Sequence, residues 1–310
     1  MSTSLTGLPD RVTVYEVGPR DGLQNESGVV DVRVKAEFVR RLLAAGHRAV
    51  ELTSFVPRSW VPQLGDAEEL MALLGPLTAR TPVLVPNERG LDRALASGAT
   101  EIAVFASATE AFAQRNLNRT VAASLDAFTP VITRARAAGL PVRGYVSMCF
   151  GDPWEGEVPL DRVADVALRL LADGCTEISL GDTIGVATPG QVVALLDLLS
   201  DRGLGADRLA VHFHDTYGQA LANTLVALQH GVTVVDASAG GLGGCPYARS
   251  ATGNLATEDL LWMLHGLGID TGVDLSALAD TSRWMAAQLG RPSPSRALTA
   301  LTTVPAPQED

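Results

Sequence analysis

EISLGDTIGVATPGQVVALLDLLSDRGLGADRLAVHFHD, residues 177–215, decides the fold. EISLGD (177–182) is a short β-type run, a helical pattern follows at 189–201, and LAVHFHD (209–215) is the next strand-like run. Strand, helix and strand in one stretch form a βαβ unit, which implies parallel strands. The alternation continues in both directions. VTVYEV (12–17), RAVELTS (48–54), PVLVP (82–86), EIAVFAS (101–107) and VRGYVS (142–147) lie upstream, and VTVVDAS (232–238) lies downstream. Helical patterns separate them at about 31–45, 66–74, 88–98, 119–138, 160–173 and 218–229, with a last one at about 257–266. Several end at a glycine, as at Gly46, Gly98, Gly139, Gly174 and Gly231, the residue that stops a helix at positive φ.

Eight strand–helix units predict a closed (β/α)8 TIM barrel. The expected organisation is one catalytic domain over 1–310. Its barrel spans about 12–268, a C-terminal helical extension about 270–300, and a frayed tail 302–310. The competing open doubly wound sheet carries G-x-G-x-x-G after its first strand, and EVGPRDGLQNE does not read so.

Composition narrows the function. Hydrophobic residues make up 46% of the 310, so a large core is available, and at 5% aromatic it must be aliphatic. A net charge of −11 argues against nucleic acid and anionic membrane partners. No apolar run approaches the ~20 residues of a membrane span. Three scattered cysteines give no disulfide framework, and MSTSLTGLPDRV does not read as a secretory signal. With no transit peptide before the barrel and no peroxisomal tripeptide in PAPQED, the expected location is the cytoplasm, and the default assembly is a homodimer. Lys35 is the sole lysine and falls on the predicted exposed face of the first helix. An exposed lysine cannot lose the ~3 pKa units that imine chemistry requires, so carbanion chemistry here calls for a metal.

A barrel builds its site at the C-terminal strand ends. His212 and His214, at i and i+2, point to one side of the seventh strand, with Phe213 facing the helices. EVGPRDG brings Arg20 and Asp21 to the same mouth, the second strand adds Glu51, and the sixth adds Asp182. The segment after the eighth strand, AGGLGGCPYARSATGNLATEDL, adds Cys245, Asn254 and Glu258. Carboxylate, amide oxygen and two imidazoles favour Mg²⁺ or Mn²⁺, with zinc second. Plainer roles compete: Arg20–Asp21 as a loop salt bridge, Asp182 as a turn cap, Cys245 as a small buried residue. Cys149, Cys175, His47, His230 and His265 read as structural.

EVGPRDGLQNE, ELTSFVPRSWVPQLGD, SLGDTIGVATPG, VHFHDTYGQALANTL and GLGGCPYARSATGNLATEDL closely resemble the 3-hydroxy-3-methylglutaryl-CoA lyase family, in unbroken order from about Val14 to beyond Gly272. The cysteine loop separates that family from the related condensing synthases. The resemblance implies cleavage of an acyl-CoA, 3-hydroxy-3-methylglutaryl-CoA, to acetyl-CoA and acetoacetate. It implies Asp21, His212, His214 and Asn254 as metal ligands and Arg20 as the enolate's counter-charge. It further implies Cys245 as an acid/base thiol, Glu51 and Asp182 as polar site residues, and Glu258 as a support for Cys245 or Asn254. Arg143 and Tyr145 match the family's fifth strand and are expected among the coenzyme A contacts. The following MCFGDPWEG departs from the animal pattern. A lyase for a longer-branched 3-hydroxy-3-alkylglutaryl-CoA, a Claisen-type synthase and a non-catalytic CoA-binding barrel are the alternatives.

Overall fold

The computed structural model describes residues 5–244 and 253–303. Its strands are β1 (Thr13–Glu16), β2 (Ala49–Val50), β3 (Val83–Leu84), β4 (Ile102–Ser107), β5 (Val142–Ser147), β6 (Glu177–Asp182), β7 (Leu209–Phe213) and β8 (Val234–Ala237). All pair in parallel, in the order β2-β1-β8-β7-β6-β5-β4-β3. Backbone bonds close the ring between β2 and β3: Val50 N–H reaches Arg80 O at 3.0 Å, Leu52 reaches Pro82 O at 3.0 Å, and Phe55 reaches Leu84 O at 2.8 Å. The predicted barrel is therefore present.

The helices are α1 (Val32–Ala44), α2 (Ala67–Leu74), α3 (Glu88–Ala96), α4 (Glu110–Leu117), α5 (Val121–Ala137), α6 (Leu160–Asp173), α7 (Pro189–Asp201), α8 (Ala220–Gln229) and α9 (Thr257–Gly266). An aliphatic core fills the space between them and the outward faces of the strands, with Val39, Leu42, Val104, Val131, Ile178 and Leu199 fully buried. The glycines expected to stop helices do so, with φ between +80° and +117° at Gly46, Gly98, Gly139, Gly174 and Gly231. The C-terminal extension is two helices, α10 (Leu275–Leu289) and α11 (Arg296–Thr303), so residues 302 and 303 are helical rather than frayed. Residues 304–310 lie outside the described residues.

Two local features differ from expectation for identifiable reasons. The stretch before residue 119 is helical too. Asn118, left-handed at φ 54°, ends α4, and Thr120 caps α5 by accepting the Ala123 N–H, so α5 is the helix predicted at about 119–138 and α4 is an additional one before it. Lys35 is buried, not exposed. Asp66, at the start of α2, lies over this part of α1 and accepts the Lys35 ammonium at 2.8 Å, while the Gln63 carbonyl accepts a further bond. A lysine on the polar stripe of a helix becomes interior once a neighbouring element places a carboxylate above it. Its ammonium is occupied by these oxygens, so the case against imine chemistry stands on pairing rather than on exposure.

Candidate active site

Past β1 the chain makes a wide helical turn, Gly18–Gly22, that carries Arg20 and Asp21 to the barrel mouth. Packing at Gly22 is tight: a Cβ there would lie 2.8 Å from Ser238 Oγ and 2.9 Å from Leu242 Cβ. Arg20 is nearly buried and held on two sides, its Nε donating to Glu51 Oε2 at 2.6 Å and its Nη1 to Asp21 Oδ1 at 2.7 Å. At the end of β7 and just past it, the rings of His212 and His214 lie 5.3 Å apart. Phe213 between them turns into the aliphatic core, as the two-residue period requires.

Asp21, His212 and His214 present ligand atoms that all lie within 4.8 Å of one another. Asn254 joins them through a β-bridge to His214. Its amide N–H groups go to Asp21 Oδ2 at 2.9 Å and Leu242 O at 3.1 Å. Its Oδ1 is buried without a partner, and so is His214 Nδ1. Buried polar atoms are rarely left unbonded, and one orphaned oxygen beside a carboxylate and two imidazoles is what a cation site looks like when described by protein atoms alone. The residues therefore fit a divalent metal.

Surrounding charges tune the group. Burial alone would raise Asp21, but Arg20, the two histidines and the Asn254 amide outweigh it and bring its carboxyl down to about 2. Burial lowers His214 to about 4, and neighbouring His212 adds to the effect. Burial would also lower His212, yet the Asp236 carboxylate bonded to its Nδ1 at 3.1 Å outweighs this and raises it. That bond occupies one ring nitrogen and turns Nε2 toward Asp21, 4.0 Å from its Oδ2. A carboxylate behind a ligating histidine fixes the ring's tautomer and direction.

Asp236 and Glu16 are functional positions that motif reading missed. Glu16 is buried and accepts the Gly18 N–H at 2.8 Å, the Ala239 N–H at 2.9 Å and the Thr257 hydroxyl at 2.8 Å, so it ties the Arg20–Asp21 turn to the segment after β8. The available signal was one acidic residue inside each apolar run, VTVYEV and VTVVDAS.

A cavity of about 730 Å³ opens over the group. Arg20, Asp21, His212, His214, Ser147 and Thr183 line its polar side. Val56, Leu84, Phe105, Phe112 and Tyr145 line the other, and Gly244 stands at its edge. Tyr145 joins the two sides: its ring lies 5.5 Å from the Arg20 guanidinium and meets His212 edge-on at 6.2 Å.

Other expected residues fall into different places. Asp182 accepts the Val186 N–H at 2.9 Å and the Ala187 N–H at 3.0 Å, so it caps the turn after β6; burial raises its carboxyl to about 6. Glu258 accepts the Gly240 N–H and the Ser282 hydroxyl, so among the described residues it supports the segment after β8 rather than Asn254 or the cavity lining. Arg143 is fully buried beneath the mouth, with Asp236 at 2.6 Å and Glu177 at 2.9 Å, and does not line the cavity. The structure therefore does not bring Arg143 to the cavity where a coenzyme A contact was expected, because two carboxylates hold its guanidinium inside the barrel. Tyr145 does line the cavity. Cys245 lies outside the described residues. Cys149 and Cys175 are buried and unpaired as disulfides, and burial drives both thiols upward, Cys175 to about 12.

Residues 11–285 match the family model described as HMGL-like. The chain is 52% identical over 296 residues to the mitochondrial hydroxymethylglutaryl-CoA lyase of Arabidopsis thaliana, covering 95% of this chain and 63% of that one. It is 48% identical to the cytoplasmic 3-hydroxy-3-methylglutaryl-CoA lyase of Rattus norvegicus, over 95% of this chain and 86% of the relative. Among solved structures, the hydroxymethylglutaryl-CoA lyase of Pseudomonas aeruginosa superposes with a TM-score of 0.93 at 48% identity, covering 96% of this chain and 99% of that one. An HMG-CoA lyase from Acenitobacter baumannii in complex with coenzyme A and 3-methylmalate gives 0.90 at 34% identity, covering 98% and 100%.

Proposed function

The chain belongs to the HMGL-like family, and from that premise we propose that it is a carbon–carbon lyase that cleaves 3-hydroxy-3-methylglutaryl-CoA to acetyl-CoA and acetoacetate. The observation that carries this reading is the convergence of Asp21, His212 and His214 beside a fixed guanidinium in one cavity, with the orphaned oxygen of Asn254, which bonds Asp21, next to them.

Asp21, His212, His214 and Asn254 would hold Mg²⁺ or Mn²⁺, whose chemistry when bound is to lower the pKa of a substrate hydroxyl and to anchor neighbouring oxygens. Arg20 cannot be deprotonated at working pH, and its two carboxylate partners hold it at the cavity wall. There it faces the negative charge that develops as the departing acetyl group becomes an enolate. A fixed cation in a site shielded from water stabilises that charge without reorganising. Glu51 orients Arg20, and the Tyr145 ring supports its face. The carbanion then needs a proton. Cys245, which follows Gly244 in the sequence, is assigned as the donor, since a thiol of pKa ~8.5 suits that task near neutrality. Cys245→Ala is expected to lower turnover while metal affinity stays unchanged; equal turnover would remove Cys245 from the scheme.

We further infer a cytoplasmic homodimer that binds its substrate through the coenzyme A moiety. Buried free thiols suit a reducing compartment, and fractionation together with solution mass tests both assignments. The function itself is tested by following acetoacetate released from 3-hydroxy-3-methylglutaryl-CoA against the same protein carrying Asp21→Ala.

A further inference from the structure

The two sides of the cavity divide the substrate's central carbon. In the reading above, that carbon carries a hydroxyl, a carboxylate arm, a thioester arm and one alkyl branch. The first three call for polar partners, which Arg20, Asp21, His212 and His214 supply in the cavity lining. The branch has none, and its place follows from where apolar surface meets the polar group.

Tyr145 is that junction, with the Arg20 guanidinium at 5.5 Å and the His212 ring at 6.2 Å. On its far side it packs with Leu84, Ala103 and Phe105 in a cluster separate from the main core. The strand register builds this shelf: Leu84 pairs with Ala103 across β3 and β4, and Phe105 pairs with Tyr145 across β4 and β5. Leu84 is 5% exposed and Tyr145 7%, yet both line the cavity, as does the part-exposed Phe105, so the shelf is packed against its neighbours and contributes to the cavity wall. Phe105 is itself backed by Phe128, ring centroids 5.6 Å apart.

We propose that Leu84 and Phe105, with Tyr145 as floor, are the residues that set the length of the alkyl branch on the substrate's tertiary carbon. The proposal rests on the lyase reading and goes beyond it by assigning branch selectivity to the ends of β3 and β4. A shelf backed by packed side chains cannot retreat for an added methylene, and overpacking in a rigid pocket is resisted. One methylene in an apolar pocket changes selectivity by about 10-fold to 200-fold.

The test compares kcat/KM for 3-hydroxy-3-methylglutaryl-CoA and its 3-ethyl analogue, with Mn²⁺ affinity measured on the same samples. The wild-type chain is expected to favour the methyl substrate. Leu84→Ala and Phe105→Ala are each expected to raise the ethyl-to-methyl ratio by about 10-fold or more, with Mn²⁺ affinity unchanged. If Leu84→Ala fails to fold, the part-exposed Phe105→Ala carries the comparison. An unchanged ratio in folded, active variants would overturn the proposal, whatever happens to the absolute rates. A wild-type chain that binds Mn²⁺ but cleaves neither substrate would instead overturn the lyase reading, and the branch assignment with it.

Discussion

The barrel interior is charged at two levels, and the levels differ in how their charges are satisfied. In the lower interior, Arg80 bonds Glu101 at 2.6 Å and Glu177 at 2.9 Å. Arg143 bonds Glu177 and Asp236 and lies 3.7 Å over the Tyr15 ring. Here two guanidiniums pair with three carboxylates, and the atoms left without a hydrogen-bond partner, the Tyr15 hydroxyl and Arg143 Nε, belong to residues that do not line the cavity. At the mouth, Asn254 Oδ1, His214 Nδ1 and Glu51 Oε1 are unpartnered, and His214 lines the cavity together with Asp21 and Arg20, the partners of Asn254 and Glu51. The lesson is that charge inside a barrel does not mark a site. Charge whose bonds have been left open, facing a cavity, does.

Breaking the mouth should therefore cost chemistry, and breaking the lower level should cost stability. The largest effect is expected for Asp21→Ala or His212→Ala: turnover falls by about 10³-fold or more, bound metal is lost, and the thermal midpoint moves little. Metal analysis, kinetics and melting on the same sample check this. Arg143→Met takes the buried guanidinium away from Asp236 and Glu177, leaving them only His212, Ser179 and Arg80 as partners, and is expected to cost about 3–5 kcal/mol of unfolding free energy. Denaturant unfolding measures it, and a drop in activity without a drop in stability would break the contrast. Asp236→Asn sits where the levels meet. It should weaken metal binding by about 10–100-fold, since the carboxylate behind His212 sets the ring's tautomer; a metal titration reads this.

The smallest expected effect concerns Glu258, whose carboxyl burial raises to about 7 from 4.5. Between those values the folded chain binds more protons than the unfolded one, so this contribution is complete below about pH 4.5 and is lost as pH rises through about 7. Glu258→Gln should flatten the fall of stability across that window. Melting at pH 5 and pH 8 checks it, and an unchanged slope would show that the raised carboxyl is not what shapes the curve.

How much of this was legible in the sequence follows from what each feature depends on. Strand and helix order rests on local periodicity, and the His212–His214 pair rests on the two-residue period of a strand, so both could be read along the chain. Lys35 and Arg143 could not, because their burial comes from Asp66, Asp236 and Glu177, which lie 31, 93 and 34 positions away. Asp182 and Glu258 were placed at the right end of the barrel, but whether a carboxylate faces a cavity or a backbone N–H depends on loop paths that no periodicity encodes. Asn254 is intermediate. Its type suggested a ligand, but its position needs Gly243 and Gly253. A Cβ on Gly253 would come 2.1 Å from the Gly243 carbonyl oxygen, and one on Gly243 would strike the Asn254 amide at 2.6 Å.

The most direct test of the central claim is cleavage of 3-hydroxy-3-methylglutaryl-CoA by protein stripped of metal and then given Mg²⁺ or Mn²⁺. The expected result is no acetoacetate from the stripped protein and restored turnover on repletion, with restoration absent in His212→Ala. Equal turnover before and after repletion would contradict a metal-dependent lyase centred on Asp21, His212, His214 and Asn254.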